Sequence, residues 1–243
     1  MRNPRIYTEQ VLIPGATLTL DERASNYLAR VLRCQSGMAI TLFNGDSKEY
    51  AASVTAVDKR NVAVVINDVS IVDRESPLKI HLGIAISKGD RMDLVMQKAV
   101  ELGVSEITPL ISERVEVRLQ GERAEKRIEH WRGIIISACE QCARNTLPKL
   151  NPIATLSEWT THVEADKKFV LHHRSDSALG TTAKPNSIAL LIGPEGGLSE
   201  TEIDAAQRQS FAPLRLGPRV LRTETAPLAA LSILQFVFGD LNR

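Results

Sequence analysis

Apolar residues recur in two rhythms along the chain, and the change from one to the other falls near residue 73. Before it, short β-branched runs occupy Ile6-Tyr7, Ala16 to Leu20, Met38 to Phe43, Tyr50 to Val57 and Val62 to Val72, with turn signals at Pro14-Gly15, Asn44-Gly45-Asp46 and Lys59-Arg60-Asn61. Short strands punctuated in this way predict a small β-barrel or sandwich. One helix interrupts them: Asp21 suits an N-cap, Ala24, Leu28, Val31 and Leu32 form an apolar face at helical spacing, and Ser36-Gly37 ends it.

The polar run Asp73-Arg-Glu-Ser-Pro77 ends in proline and sets the expected boundary between domains of residues 1–72 and 73–243. Beyond it strands alternate with helices. Leu78 to Ile86, Ile107 to Ile111, Phe169 to His172, Ser187 to Ile192 and Phe211 to Leu216 read as strands. Met92 to Leu102, Glu122 to Arg144, Glu200 to Gln209 and Glu224 to Phe238 read as helices. Strands separated by helices imply parallel pairing in an α/β sheet covered on both faces.

Two of these strands stop abruptly at Gly-Pro. Ile192-Gly-Pro-Glu-Gly-Gly-Leu-Ser199 and Leu216-Gly-Pro-Arg-Val-Leu-Arg-Thr-Glu-Thr-Ala226 each lead from an apolar run into a helical pattern. Glycine permits close approach to the backbone and proline stiffens the turn, so such loops at strand ends suit a small-molecule crevice. Either loop alone is also consistent with an ordinary strand-to-helix turn. Neither the dinucleotide glycine fingerprint nor the phosphate-cradling loop with its lysine is present, so a ligand read through backbone groups, such as an adenine without phosphates, fits better.

The charged residues of these loops are Glu195, Arg222 and Glu224. Arginine stabilises developing negative charge and a carboxylate orients a group or accepts a proton; an internal ion pair that stiffens the loops is the alternative. His172 follows a strand beside them and is a pocket-lining candidate. Elsewhere, Arg23, Arg30 and Arg33 ride on the first helix, with Arg2 and Arg5 in the arm before the first strand. They form either a phosphate-binding patch or a solvated face with carboxylate partners. Arg144-Asn145, at the end of the long helix, could reach a phosphate or base edge, or Arg144 could complement the helix dipole.

Composition narrows the possibilities. A net charge of +1 makes any basic surface local, and three cysteines argue against a disulfide framework and for a reducing compartment. Cys139 and Cys142 lie inside an apolar helical pattern with no second pair, so buried thiols are expected and no metal. The opening residues lack the apolar run of a secretory signal, and Leu228 to Phe238 is too short to span a bilayer. A cytoplasmic protein with no membrane partner is expected.

Leu190-Leu-Ile-Gly-Pro-Glu-Gly-Gly-Leu-Ser199, the second glycine loop and Ala138-Cys-Glu-Gln-Cys-Ala-Arg-Asn145 closely resemble the RsmE family, as do Arg2-Asn-Pro-Arg-Ile-Tyr7 and Glu101-Leu-Gly-Val104. That family methylates N3 of a uridine in 16S ribosomal RNA of the small subunit. The resemblance implies a C-terminal SPOUT methyltransferase fold with a deep trefoil knot, an N-terminal PUA-like barrel that helps hold RNA, and a homodimer. It further implies an S-adenosylmethionine pocket lined by Leu171, His172, Gly193, Glu195, Gly197, Leu216, Gly217, Leu221, Arg222 and Ala226. Pro227 departs from the pattern but falls in the first turn of a helix, where proline is tolerated.

On this reading Arg222 places positive charge near a uracil carbonyl, and Glu224 or Glu195 orients the base or takes its proton. Arg2, Arg5, Arg30 and Arg33 grip phosphates, with Arg144 and Asn145 nearer the target. Two other readings stand beside it: the same chemistry on another RNA, such as a transfer RNA, and a non-catalytic RNA-binding module.

Overall fold

The computed structural model of the chain describes residues 3–58, 60–115, 119–172, 179 and 183–242. Among them the chain forms two compact units. The first comprises Met1–Glu75 together with Cys139–Leu147, and the second Ser76–Ala138 together with Pro148–Arg243. The return of Cys139–Leu147 to the first unit was not expected from the linear pattern.

In the first unit β1 (Arg5–Tyr7), β2 (Thr17–Thr19), β3 (Ala39–Phe43), β4 (Lys48–Val57) and β5 (Val62–Ile71) form one sheet in the order β1-β3-β4-β5-β2. Strand β1 runs parallel to β3 and the other pairs are antiparallel. Alternation along β4 and β5 turns Tyr50, Ala52, Val54, Val62, Val64 and Ile66 into a core that Ala24 and Leu28 close from the helical side.

Helix α1 (Glu22–Asn26) starts as expected, with the Asp21 carboxylate accepting the Ala24 N–H at 2.9 Å. It then widens into a π-helical turn over Tyr27–Val31, where the Leu32 N–H reaches back to the Tyr27 carbonyl. The wider turn shifts the helical phase, so Ala24 and Leu28 are buried but Val31 is 65% exposed. Arg33, at φ 50°, ends the helix before Ser36-Gly37.

The second unit contains β6 (Lys79–Ala85), α2 (Arg91–Glu101), β7 (Glu106–Ile111), α3 (Glu122–Cys142), β8 (Lys149–Leu150), β9 (Ala154–Thr155), α4 (Leu156–His162), β10 (Lys167–Leu171), β11 (Ser187–Ile192), α5 (Glu200–Arg208), β12 (Ala212–Leu214) and α6 (Thr225–Phe238). The last turn of α3 is counted with the first unit. The strands pair in parallel in the order β12-β10-β11-β6-β7-β8, with β9 also against β7. Ile80, Leu82 and Ile84 of β6 and Ile188 to Leu191 of β11 are fully buried, the continuous apolar pattern of a doubly covered parallel sheet.

Two polar devices stitch helices to this sheet. Gln235 of α6 is fully buried, accepting from the Ser76 hydroxyl at 2.6 Å and donating to the Gly103 carbonyl at 3.1 Å. At the amino ends of the strands, His81 Nε2 accepts the Trp159 indole N–H at 3.1 Å and lies 2.7 Å from the Thr108 hydroxyl. Burial holds the His81 pKa below its usual value, against the opposing pull of Glu106, so the ring is neutral.

Candidate functional site

Strands β10, β11 and β12 lie side by side in parallel, so Leu171, Ile192 and Leu214 end at one edge of the sheet. Chain leaving that edge lines a cavity of about 870 Å³ that is open on one side. That volume is of the order that takes a cofactor-sized molecule, and the position at the carboxyl ends of parallel strands is the expected one.

The first glycine loop is braced along its length. A Cβ on Gly193 would stand 2.9 Å from Leu198 Cγ and 3.0 Å from the Leu198 nitrogen, so only glycine lets the loop fold back this tightly. The Gly197 N–H closes a turn on the Pro194 carbonyl at 2.8 Å. Ser199 then caps α5 in a reciprocal box with Glu202. The Gly196 carbonyl accepts from Arg114 Nη1 at 2.8 Å, and the Glu113 N–H donates to Glu202.

Glu195 accepts the Lys88 N–H at 3.1 Å and Arg91 Nη1 at 2.8 Å. Partial burial raises its pKa, but the backbone hydrogen bonds and the Arg91 guanidinium more than offset that, and the carboxyl is held below the usual range.

The second glycine loop is open by comparison. Gly217 sits at φ 82°, where a side chain would be strained, and its carbonyl accepts from Arg215 Nε at 3.1 Å. Arg219, Val220 and Arg222 are exposed, Val220 at 75%. Among the described residues neither the Arg219 nor the Arg222 side chain has a hydrogen-bond or ion-pair partner. Glu224, at the N-terminus of α6, lies 3.8 Å from Arg91 Nε.

All ten residues expected around a cofactor line this cavity: Leu171, His172, Gly193, Glu195, Gly197, Leu216, Gly217, Leu221, Arg222 and Ala226, and Glu224 lines it too. The sequence reading missed Arg91, Arg114 and Asp204 on the same wall. Arg91 had one visible signal, since Ser87-Lys-Gly-Asp-Arg91 is a further strand-to-helix turn with glycine.

The residues expected to meet RNA divide. Arg2 lies outside the described residues. Arg30 and Arg33 are exposed on the π-helical turn and its exit. Arg5, Arg144 and Asn145 are instead buried inside the first unit. Arg5 donates to Glu49 at 2.6 Å and to the Asn145 side-chain oxygen at 2.5 Å, Asn145 donates to the Val72 carbonyl at 2.8 Å, and Arg144 pairs with Glu75. A guanidinium taken out of water needs a carboxylate as surely as one on the surface suits a phosphate, and here the carboxylates are supplied within the chain. Arg23 is likewise paired, with Glu140 at 3.0 Å.

Cys139 is buried, and burial pushes its thiol up to about 12. Among the described residues no group of three or more His, Cys, Asp or Glu side chains is placed to hold a metal, and no helix is long and apolar enough to cross a membrane.

A family model described as RNA methyltransferase domain matches residues 74–235, and one described as RNA methyltransferase PUA domain matches residues 20–67. The chain is 37% identical to a ribosomal RNA small subunit methyltransferase E of Buchnera aphidicola, covering 99% of both chains. A solved structure from Neisseria gonorrhoeae, a ribosomal RNA small subunit methyltransferase E bound to S-adenosyl methionine, superposes with a TM-score of 0.92 at 40% identity, covering 99% of this chain and 100% of that one. A Legionella pneumophila structure described as a methyltransferase with bound SAM gives a TM-score of 0.97 at 48% identity, with 99% and 100% covered.

Proposed function

Since the chain belongs to the family of the ribosomal RNA small subunit methyltransferases E, we propose that it methylates N3 of a uridine in 16S ribosomal RNA, with S-adenosylmethionine as donor. The observation that carries this reading is the cavity at the two glycine loops. Its wall combines backbone groups of Gly193, Gly197 and Gly217 with the apolar side chains of Leu171, Leu216, Leu221 and Ala226. Among the described residues no lysine lines it and neither glycine loop is of the phosphate-cradling kind, so an adenosyl group read through backbone groups suits it. These residues, with His172, Glu195 and Arg222, would hold the cofactor, which when bound supplies an electrophilic methyl group.

Uridine N3 bears a proton and becomes a nucleophile as that proton leaves. Arg222, exposed on the cavity rim with its charge uncommitted, stabilises the negative charge that then spreads onto the uracil carbonyl oxygens. A carboxylate takes the proton. Glu195 is held ionised by Arg91 and by the Lys88 N–H, which makes it a weak base and suits it to orienting the site; Glu224, which Arg91 approaches only to 3.8 Å, is left to accept the proton. N3 of a paired uridine is hidden in its hydrogen bond, so the target must be unpaired or drawn from its stack.

RNA is gripped by Arg30 and Arg33, beside which Tyr27 offers an exposed ring to an unstacked base. The protein acts as a homodimer in the cytoplasm: Ile233, Phe236 and Val237 leave a strip of α6 exposed that a second copy covers. The test is transfer of labelled methyl to small-subunit RNA from cells lacking this protein, with the product nucleoside identified by mass spectrometry. N3-methyluridine is expected. Another methylated nucleoside or another RNA would change the substrate, and failure to bind S-adenosylmethionine would leave only an RNA-binding module.

A further inference from the structure

Arg91 is the first residue of α2, where a positive charge opposes the helix dipole, so its presence there calls for another reason. The reason lies in what surrounds it. Its guanidinium meets Glu195 of the first glycine loop, Nη1 to Oε1 at 2.8 Å, and Glu224 at the end of the second, Nε to Oε2 at 3.8 Å. Glu195 is fixed further by the Lys88 N–H of the turn that leads into α2. One side chain, carried by the helix after β6, thus joins loops that leave β11 and β12.

From this geometry we infer that Arg91 is a positioning residue, which occupies the two carboxylates of the cavity so that the Arg222 guanidinium stays free for the base. The inference rests on the methyltransferase reading above. Arg222 stands two residues before Glu224 on the same cavity wall and, among the described residues, has no partner of its own. Without Arg91, Glu195 would keep the Lys88 N–H alone and Glu224 would lose its neighbouring guanidinium, and, among the described residues, Arg222 and Arg219 on the same wall are guanidiniums without a partner. A pair formed between Arg222 and either glutamate would remove the positive charge from the place where negative charge develops. Arg91 itself need not touch RNA or cofactor.

The pair of Arg91 with Glu195 is 44% and 34% exposed, and half-exposed ion pairs add little to folding, so the loss of Arg91 should appear in turnover rather than in stability. The full-length protein and its variants Arg91→Gln, Arg91→Lys, Glu195→Gln and the double variant Arg91→Gln/Glu195→Gln would be compared for methyl transfer to unmodified small-subunit RNA, for S-adenosylmethionine affinity by calorimetry and for melting temperature. Arg91→Gln is expected to lower kcat by about ten- to a hundredfold, the effect of a misplaced charge, with cofactor Kd changed less than about threefold. Arg91→Lys should retain more turnover than Arg91→Gln. Removing Glu195 as well should recover part of the loss, since the freed carboxylate is the agent of harm.

Wild-type kcat in Arg91→Gln, a fall in cofactor affinity as large as the fall in kcat, or no recovery in the double variant would overturn the assignment while leaving the reading of function intact. A wild-type protein that binds cofactor yet methylates no RNA would sink both.

Discussion

Arginine is used in opposite ways in the interior of the first unit and on the cavity rim of the second. Arg5 and Arg144 are buried and bound to Glu49, Glu75 and Asn145 of their own chain. Arg219 and Arg222 are exposed and, among the described residues, unpartnered. Both sets sit in motifs that the sequence singles out equally. What separates them is the counter-charge: inside the first unit the fold supplies it, and on the rim, among the described residues, none is in place. A buried guanidinium paired with carboxylates of its own chain holds a structure together; an exposed one without such a pair is open to a ligand as well as to water.

That contrast can be broken most directly by truncation. Arg222→Ala should lower kcat by about a hundredfold or more at saturating cofactor, the usual effect of removing a group that stabilises developing charge, with little change in melting temperature. Intact turnover would erase the distinction on the rim side. Arg144→Ala should do the reverse: it strands Glu75 beside a buried void and should cost about 3 kcal/mol in denaturant unfolding, while the protein that remains folded keeps its turnover. Adding Glu75→Gln should return part of that loss. If Arg144→Ala were stable but inactive, its role would be at the substrate after all.

A pH titration sharpens the same point with a half-buried group. The His81 pKa is lowered in the folded state, so the unfolded chain binds the extra proton first. Stability is therefore full above the ordinary histidine pKa of about 6.5 and declines as pH falls through and below it. His81→Gln should flatten unfolding free energy between about pH 7 and pH 5; an unchanged slope would assign the acid sensitivity elsewhere. The smallest effect belongs to the exposed patch. An Arg30→Ala/Arg33→Ala double variant should reduce the slope of log K against log salt by about 1.4, at roughly 0.7 per phosphate contact on a single strand. An unchanged slope would remove that patch from the RNA surface.

Much of the second unit was legible because its demands are written locally. A buried parallel strand needs a continuous apolar run, and a loop folded tightly at its end needs glycine, so Ser187 to Ile192 followed by Gly193-Pro194 declares both. Strands β8 and β9 have two residues each and carry no period, so nothing in the sequence marked them. Helix α4 did leave a signal in Thr155-Leu-Ser-Glu158, a capping box that the structure forms, but seven residues are too few for an apolar face to stand out.

Arg91 was missed for a different reason: its partner Glu195 is 104 residues away, and only the parallel pairing of β6 with β11 brings their strand ends together. The π-helical turn escaped because Val31 fits a 3.6-residue period that the backbone abandons at Tyr27.

The first unit is assembled from two stretches of chain, Met1–Glu75 and Cys139–Leu147, and this has a consequence for synthesis. When residue 75 has left the ribosome, Arg5 still lacks Asn145 and Glu75 still lacks Arg144, and both wait while the sixty-three residues Ser76–Ala138 are made. The unit is therefore not a detachable prefix. A fragment cut at residue 75 would leave Arg5 without Asn145 and the half-buried Glu75 without Arg144, and a graft that moves this sheet to another protein must carry the end of α3 with it.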